Sequence, residues 1–128
     1  MTPIEQHLQY LQSVCPGATA TRLGSGAHLI TIPNFTMPPG WNRQTPVTIL
    51  FVAPPAYPAA QPDCFWVEPG GVRLANGATP QGTNDSNPIP EIGPRGTWFS
   101  WHVQHWNPNR DSLLSYFKVI EQRFKALQ

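Results

Sequence analysis

One serine and two histidines stand close together in the last third of the sequence. Ser100 precedes His102 by two residues and His105 by five. A serine hydroxyl is a weak nucleophile at neutral pH unless a base takes its proton, and histidine commonly serves as that base. In an extended segment, residues i and i+2 share a face, which would make Ser100 and His102 neighbours. We interpret Ser100 as a candidate nucleophile and the histidines as candidate bases; the alternatives are a loop serine that bonds its own backbone and histidines that are simply packed or exposed.

Three further residues are lesser candidates for the same chemistry. Thr97 carries a hydroxyl, but its branched β-carbon crowds an attack. Cys64 carries a thiol beside Asp63, whose carboxylate would raise the thiol pKa instead of activating it. Asp111, like Asp63, could orient one of the histidines. Cys15 lies on an apolar helical stripe and is interpreted as a core residue.

The composition is that of one small domain with few charges. The chain has 128 residues, of which 40% are hydrophobic and only 12% charged, and its net charge is +1. So small a net charge argues against a nucleic-acid partner held by bulk positive charge. Sixteen prolines and ten glycines indicate many loops, while five Trp and six Phe argue against disorder. We predict a single domain over residues 1–128.

Nothing in the sequence has the pattern of a cofactor site. Its two cysteines make no disulfide framework, and no Cys/His cluster has zinc-ligand spacing. We therefore expect no metal and no other cofactor. The N-terminal residues lack the regions of a signal peptide, and no window approaches the ~18 apolar residues of a membrane span. The sequence favours a cytoplasmic protein without membrane contact.

Helical patterns stand at both ends of the chain. Residues Thr2–Glu5 form a capping box, and Pro16-Gly17 ends the helix that follows it. The apolar stripe of this first helix comprises Ile4, Leu8, Leu11 and Cys15. The second helix is predicted to take Asp111 as its N-cap. Its apolar stripe comprises Leu113, Phe117, Ile120, Phe124 and Leu127, and its solvated face comprises Lys118, Glu121, Arg123 and Lys125.

Four β-rich runs between the helices predict an antiparallel meander, because sequential strands joined by short turns pair with one another. They cover residues 18–23, 28–32, 47–52 and 63–68. Residues 69–96 follow, so rich in Gly, Pro and Asn that no regular element is expected there; such a connection is typical of a lid or binding loop, with a mobile tether as the alternative. The predicted fold class is α+β: an N-terminal helix, a four-stranded antiparallel meander sheet, a long active-site loop and a C-terminal helix.

Three stretches carry a more specific signal than their composition. A proline-rich corner with Tyr57-Pro58 at its centre leads into Gln61–Trp66, which reads QPDCFW. Phe99–His102 reads FSWH, and Trp106-Asn107-Pro108 precedes Asp111. These stretches resemble the ubiquitin-conjugating-enzyme superfamily, in particular its prokaryotic family E. The resemblance covers most of the chain, and its first motif is the more specific one.

The resemblance implies transfer chemistry. Such enzymes accept the C-terminus of a ubiquitin-like protein from an adenylating activating enzyme, hold it as an ester and pass it to an amine; a deconjugating metallopeptidase belongs to such pathways. Tyr57 is expected to pack its ring and pin the loop with its hydroxyl, and Pro58 and Trp106 are expected to be structural. Trp98 and Trp101 are candidate binding residues that would form a hydrophobic shelf for the arriving tail; the alternative is that they simply fill the core.

The sequence departs from the superfamily at its usual nucleophile. Eukaryotic relatives carry a cysteine about eight residues before the Trp of Trp-x-Pro, and here that position is Trp98. The usual His-Pro-Asn triplet is also absent. Either the chain is a catalytically inactive adaptor that binds a ubiquitin-like protein or the activating enzyme, or Ser100 carries the acyl group as an oxyester. An unrelated peptide-binding module with exposed aromatics is a third interpretation.

Overall fold

The computed structural model describes all 128 residues and has an α+β architecture, which confirms the predicted fold class. Two helices, one at each end of the chain, enclose eight strands in sequence. Their bounds are α1 Pro3–Gln12, β1 Thr19–Arg22, β2 His28–Phe35, β3 Val47–Ala53, β4 Phe65–Glu68, β5 Thr83–Asn84, β6 Pro88–Ile89, β7 Gly93–Pro94, β8 Thr97–Phe99 and α2 Leu113–Lys125.

Helix α1 begins as its capping sequence predicts. Thr2 is the N-cap, and its hydroxyl accepts a hydrogen bond from the Glu5 amide while donating one to the Glu5 carboxylate. Leu11 is fully buried. The helix ends at Gln12, so Cys15 lies in the turn after it, partly buried against the core.

The predicted meander is confirmed, and it forms the centre of a larger sheet. Strands β1 to β4 pair antiparallel in sequence, and the sheet order is β1-β2-β3-β4-β8-β5. Strand β8 pairs with β4 in a register that places Phe99 opposite Phe65 and Trp98 opposite Trp66. Ser100 directly follows Phe99, the last residue of β8.

The expectation that residues 69–96 contain no regular element is wrong. Strand β5 adds to the sheet edge beside β8, and β6 and β7 form a small hairpin of their own. Each of these strands has two residues, too few to show an alternating pattern in the sequence. Ile89 of the hairpin is buried against the sheet face opposite α2.

Helix α2 covers the other face of the sheet. Leu113, Phe117, Ile120 and Phe124 are buried as predicted, together with Tyr116. Aromatic rings fill the centre of this core: Phe65 stacks on Phe99 with ring centroids 4.7 Å apart, and Phe124 contacts both edge-on. This packing fixes the position of strand β8, and therefore the position of the backbone at Ser100, which follows it.

Three expectations for α2 are wrong. Its N-cap is Ser112, whose side chain accepts from the Ser115 amide while the Ser115 hydroxyl accepts from the Ser112 amide. Asp111 stays outside the helix. Leu127 lies beyond the helix end and is 53% exposed, while Arg123, expected on the solvated face, is 2% exposed. The structure contains no helix long and apolar enough to cross a membrane.

Candidate active site

Ser100 follows directly after β8 and is exposed. Its amide donates to the carbonyl of Gly82, 2.8 Å away, which extends the contact between β8 and the β5 segment by one residue. No side-chain hydrogen bond engages its hydroxyl. Ser100 lines a small open pocket of about 230 Å³ together with Gln81, Gly82, Trp101, Arg123 and Gln128.

Arg123 forms the charged part of this pocket. Its guanidinium donates through Nη1 to the carbonyl of Ala126 and through Nη2 to the carbonyl of Gln81 and to the main-chain oxygen of Gln128, the last residue of the given sequence, at 2.9–3.0 Å. The same group lies 5.4–5.7 Å from the ring centroids of Trp41, Phe99 and Trp101, within the range of cation–π attraction. Burial lowers the pKa of the Arg123 guanidinium.

The structure does not join the histidines to the serine. His102 and His105 are both exposed, and neither makes a hydrogen bond to Ser100 or to any other group. The segment that carries them is irregular after Phe99, so the shared face of a strand does not apply.

Gln61 holds this irregular segment in place. Its side-chain amide donates to the carbonyl of Val103 and accepts from the Val103 amide, at 3.0 and 2.9 Å. These two hydrogen bonds satisfy the backbone carbonyl and amide of Val103, which lies in no strand. Gln61 is therefore a positioning residue for the chain between Ser100 and His105.

A second group of contacts fixes the end of the same segment to the proline-rich corner. The indole nitrogen of Trp106 donates to the carbonyl of Pro58, 2.8 Å away, and the Trp106 and Tyr57 rings lie 6.1 Å apart. The Tyr57 hydroxyl lies 2.6 Å from Nδ1 of His7 on α1. Burial raises the pKa of Tyr57 and lowers that of His7.

Asp111 lies in the turn before α2 and makes no hydrogen bond to His102 or His105. Its carboxylate accepts from the Asn107 amide at 2.8 Å, and its own amide donates to the Asn107 carbonyl at 2.7 Å. The side chain is nearly buried. In this structure Asp111 shapes the Trp106–Asp111 loop.

Neither Thr97 nor Cys64 lines the pocket that contains Ser100. The Thr97 hydroxyl is fully buried, donates to Asp85 and accepts from the Val72 amide. The hydrogen bond from the Thr97 hydroxyl lowers the pKa of Asp85 to about 2, together with those from the Gly71 amide and the Arg73 guanidinium. Cys64 is half-buried in the smaller hydrophobic cluster, beside Trp98, and burial raises the pKa of its thiol, with a further rise from Asp63.

A family model described as prokaryotic E2 family E matches residues 7–126. The chain belongs to this family. No curated protein and no solved structure gives a significant match. Membership of an E2 family supports a ubiquitin-conjugating-like role, in which a ubiquitin-like protein and an activating enzyme are the general classes of partner.

Given the membership of E2 family E, the most important departure from the expected pattern is Trp98, which stands where a nucleophilic cysteine is expected. Its side chain packs on the smaller cluster around Trp66 and has no nucleophilic atom. Cys15, the other cysteine, lies in the turn after α1, where burial and the neighbouring Glu121 raise its pKa. No group of three or more His, Cys, Asp or Glu side chains that could hold a metal ion is present.

Two residues near Ser100 have roles that the sequence pattern alone does not identify: Arg123, which lines the pocket, and Gln61, which binds the segment after Ser100. Arg123 lies three residues after Ile120 and seven after Tyr116, so the helical period places it at the edge of the buried face, although its charge favours solvent. Gln61 belongs to a motif that carries the resemblance, yet its partner Val103 lies 42 residues away, and no sequence pattern connects the two. The positive φ of Gly82, +68°, is likewise a property of the folded loop.

Replacing Tyr57 with alanine should lower the free energy of unfolding by about 2–4 kcal/mol, because a half-buried ring that contacts Trp106 and His7 is removed. Tyr57→Phe, which keeps the ring and removes only the hydroxyl contact, should cost about 1 kcal/mol. Urea unfolding of both variants measures the difference. Equal midpoints for Tyr57→Ala and the wild type would show that the ring does not stabilise the corner.

Proposed function

We propose that this E2 family E protein accepts the C-terminus of a ubiquitin-like protein from an adenylating activating enzyme, holds it as an oxyester on Ser100 and transfers it to an amine of a target. The observation that carries the proposal is the placement of the hydroxyls and thiols around the pocket. Ser100 alone among these candidates is exposed and has a side chain that no hydrogen bond engages. Thr97 and Cys64 are held in packed or hydrogen-bonded positions.

The proposed chemistry needs two acyl transfers. First, Oγ of Ser100 attacks the activated carbonyl carbon of the tail, its proton passes to an imidazole, and the bond to the activating enzyme breaks, with the leaving group taking up a proton. Then the target amine attacks the ester carbonyl, the C–O bond to Ser100 breaks, and Oγ recovers a proton as the amide forms. An adjacent base is what makes a serine competent for the first step.

His102 is the proposed base, with His105 as the second candidate. Neither ring is occupied by another hydrogen bond, and both stand on the segment that Gln61 and Trp106 anchor. Loss of the base from a positioned nucleophile slows proton transfer by about 10²–10⁴-fold. Single-turnover loading of His102→Ala and His105→Ala would identify which ring serves.

The competing function is that of an adaptor, which binds a ubiquitin-like protein or the activating enzyme without forming an ester. Two observations favour it: Trp98 occupies the usual cysteine position, and neither histidine contacts Ser100. An adaptor uses the same partners and needs no nucleophile. Only the covalent step separates the two functions.

The deciding experiment incubates the protein with the activating enzyme, the ubiquitin-like protein and ATP, followed by denaturing electrophoresis. We expect an adduct that survives thiol reductant and is cleaved by strong base or hydroxylamine, as an oxyester is. An adduct that disappears with reductant would place the acyl group on a cysteine. If a competent activating enzyme yields no adduct while the partners still bind, the adaptor function is the correct one.

A further inference from the structure

A second pocket lies where the turn after α1, the end of β2 and helix α2 meet. Its volume is about 450 Å³, within the roughly 300–1,000 Å³ of ligand sites in proteins. Much of its wall is apolar and comes from Val14, Ile32, Pro33, Phe35 and Phe117. No residue lines both this pocket and the one that contains Ser100, so an inference about it does not depend on the proposed function.

The pocket continues along the molecule toward the loop after β2. A smaller pocket of about 270 Å³ shares Phe35, Thr36 and Glu121 with the first one and extends to Pro38 and Lys125. The two pockets together form one groove, the β2–α2 groove. An elongated groove with apolar walls suits a segment of polypeptide, whose successive side chains occupy successive parts of it.

The edge of β2 beside this groove has no strand partner. Strand β1 pairs with β2 only as far as Thr31, and the turn at Gly17 then lies against Pro33. No strand follows on that side of Asn34 and Thr36, both of which are exposed. An unpaired strand edge is a template to which an extended peptide can add as a further strand.

Strand β2 is also irregular where it lines the groove. Its register with β3 shifts between Ile32 and Phe35, and Asn34 has φ of +58°, in the left-handed region. Bulges of this kind are frequent beside functional sites, where they redirect a side chain. Because Asn34 and Phe35 both line the larger pocket, the irregular part of β2 belongs to the groove.

Glu121 is the single charged residue that lines the larger pocket. A fully solvated glutamate needs no partner, but Glu121 is partly buried, forms none of the ion pairs of the structure and accepts no hydrogen bond. Lys125, one helical turn further on, lines the smaller pocket without pairing with it. The charge that complements a carboxylate in an apolar groove is a cation, and a guanidinium binds it through two parallel hydrogen bonds.

We propose that the β2–α2 groove binds an extended segment of a partner protein that carries an arginine. The guanidinium pairs with the carboxylate of Glu121, and the backbone of the segment follows the open edge of β2. Side chains two residues before and after the arginine share its face in an extended chain. Apolar residues at those positions pack on Pro33 and Phe35.

Two short peptides test the groove. One is acetyl-Val-Thr-Arg-Thr-Val-amide, and the other has citrulline, which has the size of arginine without its charge, at the central position. Each is titrated into the isotope-labelled full-length protein and followed by NMR of the backbone amides. We expect the arginine peptide to shift the amides of Asn34, Phe35 and Thr36 and to bind at least about fivefold more tightly than the citrulline peptide. Equal binding of the two, shifts confined to other surfaces, or no binding up to millimolar concentration would overturn the proposal.

Variants and a smaller probe identify the occupant. Glu121→Gln should bring the two peptides to equal affinity, and it should fold normally because the Glu121 carboxylate has no partner in the structure. Glu5→Gln, which changes a carboxylate of α1 outside the groove, should leave the preference for arginine unchanged. Amide shifts that depend on protein concentration without peptide would assign the groove to a second copy of this chain. Binding of acetyl-arginine methylamide as tight as that of the peptide would make it a site for a small cation, and either result contradicts our inference.

Discussion

Changing Ser100 to cysteine should convert the adduct from an oxyester to a thioester without abolishing its formation. The attacking atom keeps its position at the exposed end of β8, and a thiol is intrinsically the better nucleophile near neutral pH. The adduct of Ser100→Cys should therefore vanish on treatment with reductant, whereas that of the wild type persists. Ser100→Ala should form none. Parallel gels with and without reductant measure the change.

Two matched variants serve as controls for this exchange. Cys64→Ala removes the thiol beside Trp98, and Cys15→Ala removes the one after α1; both should load as the wild type does. Our assignment is wrong if the adduct persists in Ser100→Ala and disappears in Cys64→Ala or Thr97→Ala. That pattern would require the buried thiol or hydroxyl to become exposed when the partners bind.

The regular elements could be predicted from the sequence because each repeats its burial pattern over several residues. Helix α2 shows this best: Leu113, Phe117, Ile120 and Phe124 return to the core at the helical period. Arg123 follows the same period, since it lies three residues after Ile120 and seven after the buried Tyr116, but its charge favours solvent. The aromatic rings and the Gln81 carbonyl of distant segments make its inward orientation stable.

Short elements and caps were harder to predict because local signals compete. Asp111 and Ser112 are both good N-cap residues, and the Ser115 hydroxyl decides in favour of Ser112 by completing a reciprocal pair. Asp111 is then drawn into the turn with Asn107. Two-residue strands such as β6 and β7 have no periodicity to detect.

The sequence predicts which residues of the candidate site lie close together along the chain, but not how their side chains are arranged in space. Ser100, His102 and His105 are close in sequence, but after Phe99 the backbone is irregular, and side-chain directions there depend on contacts with remote residues. Those contacts come from Gln61, Gly82 and Arg123. No spacing rule connects such residues, so the pocket appears only when the sheet edge and α2 meet.

Replacing Gly96 with alanine should lower the free energy of unfolding by at least about 3 kcal/mol. Gly96 has φ of +70°, in the left-handed region, and its backbone passes so close to β4 that an added Cβ would collide with the carbonyl oxygen of Val67. Since Val67 pairs with Thr97, relief of that collision must displace β8 from β4. Urea or thermal unfolding measures the loss.

Gly71 provides the matched control, because it has nearly the same backbone conformation, φ of +75°, with nothing within 4 Å of an added Cβ. Gly71→Ala should cost only the strain of a left-handed alanine, about 1–2 kcal/mol. The excess cost of Gly96→Ala over Gly71→Ala then measures the close approach of the two strands. Equal costs would show that β8 can shift freely on β4. Ser100, which follows β8 directly, would in that case have no fixed position relative to Arg123.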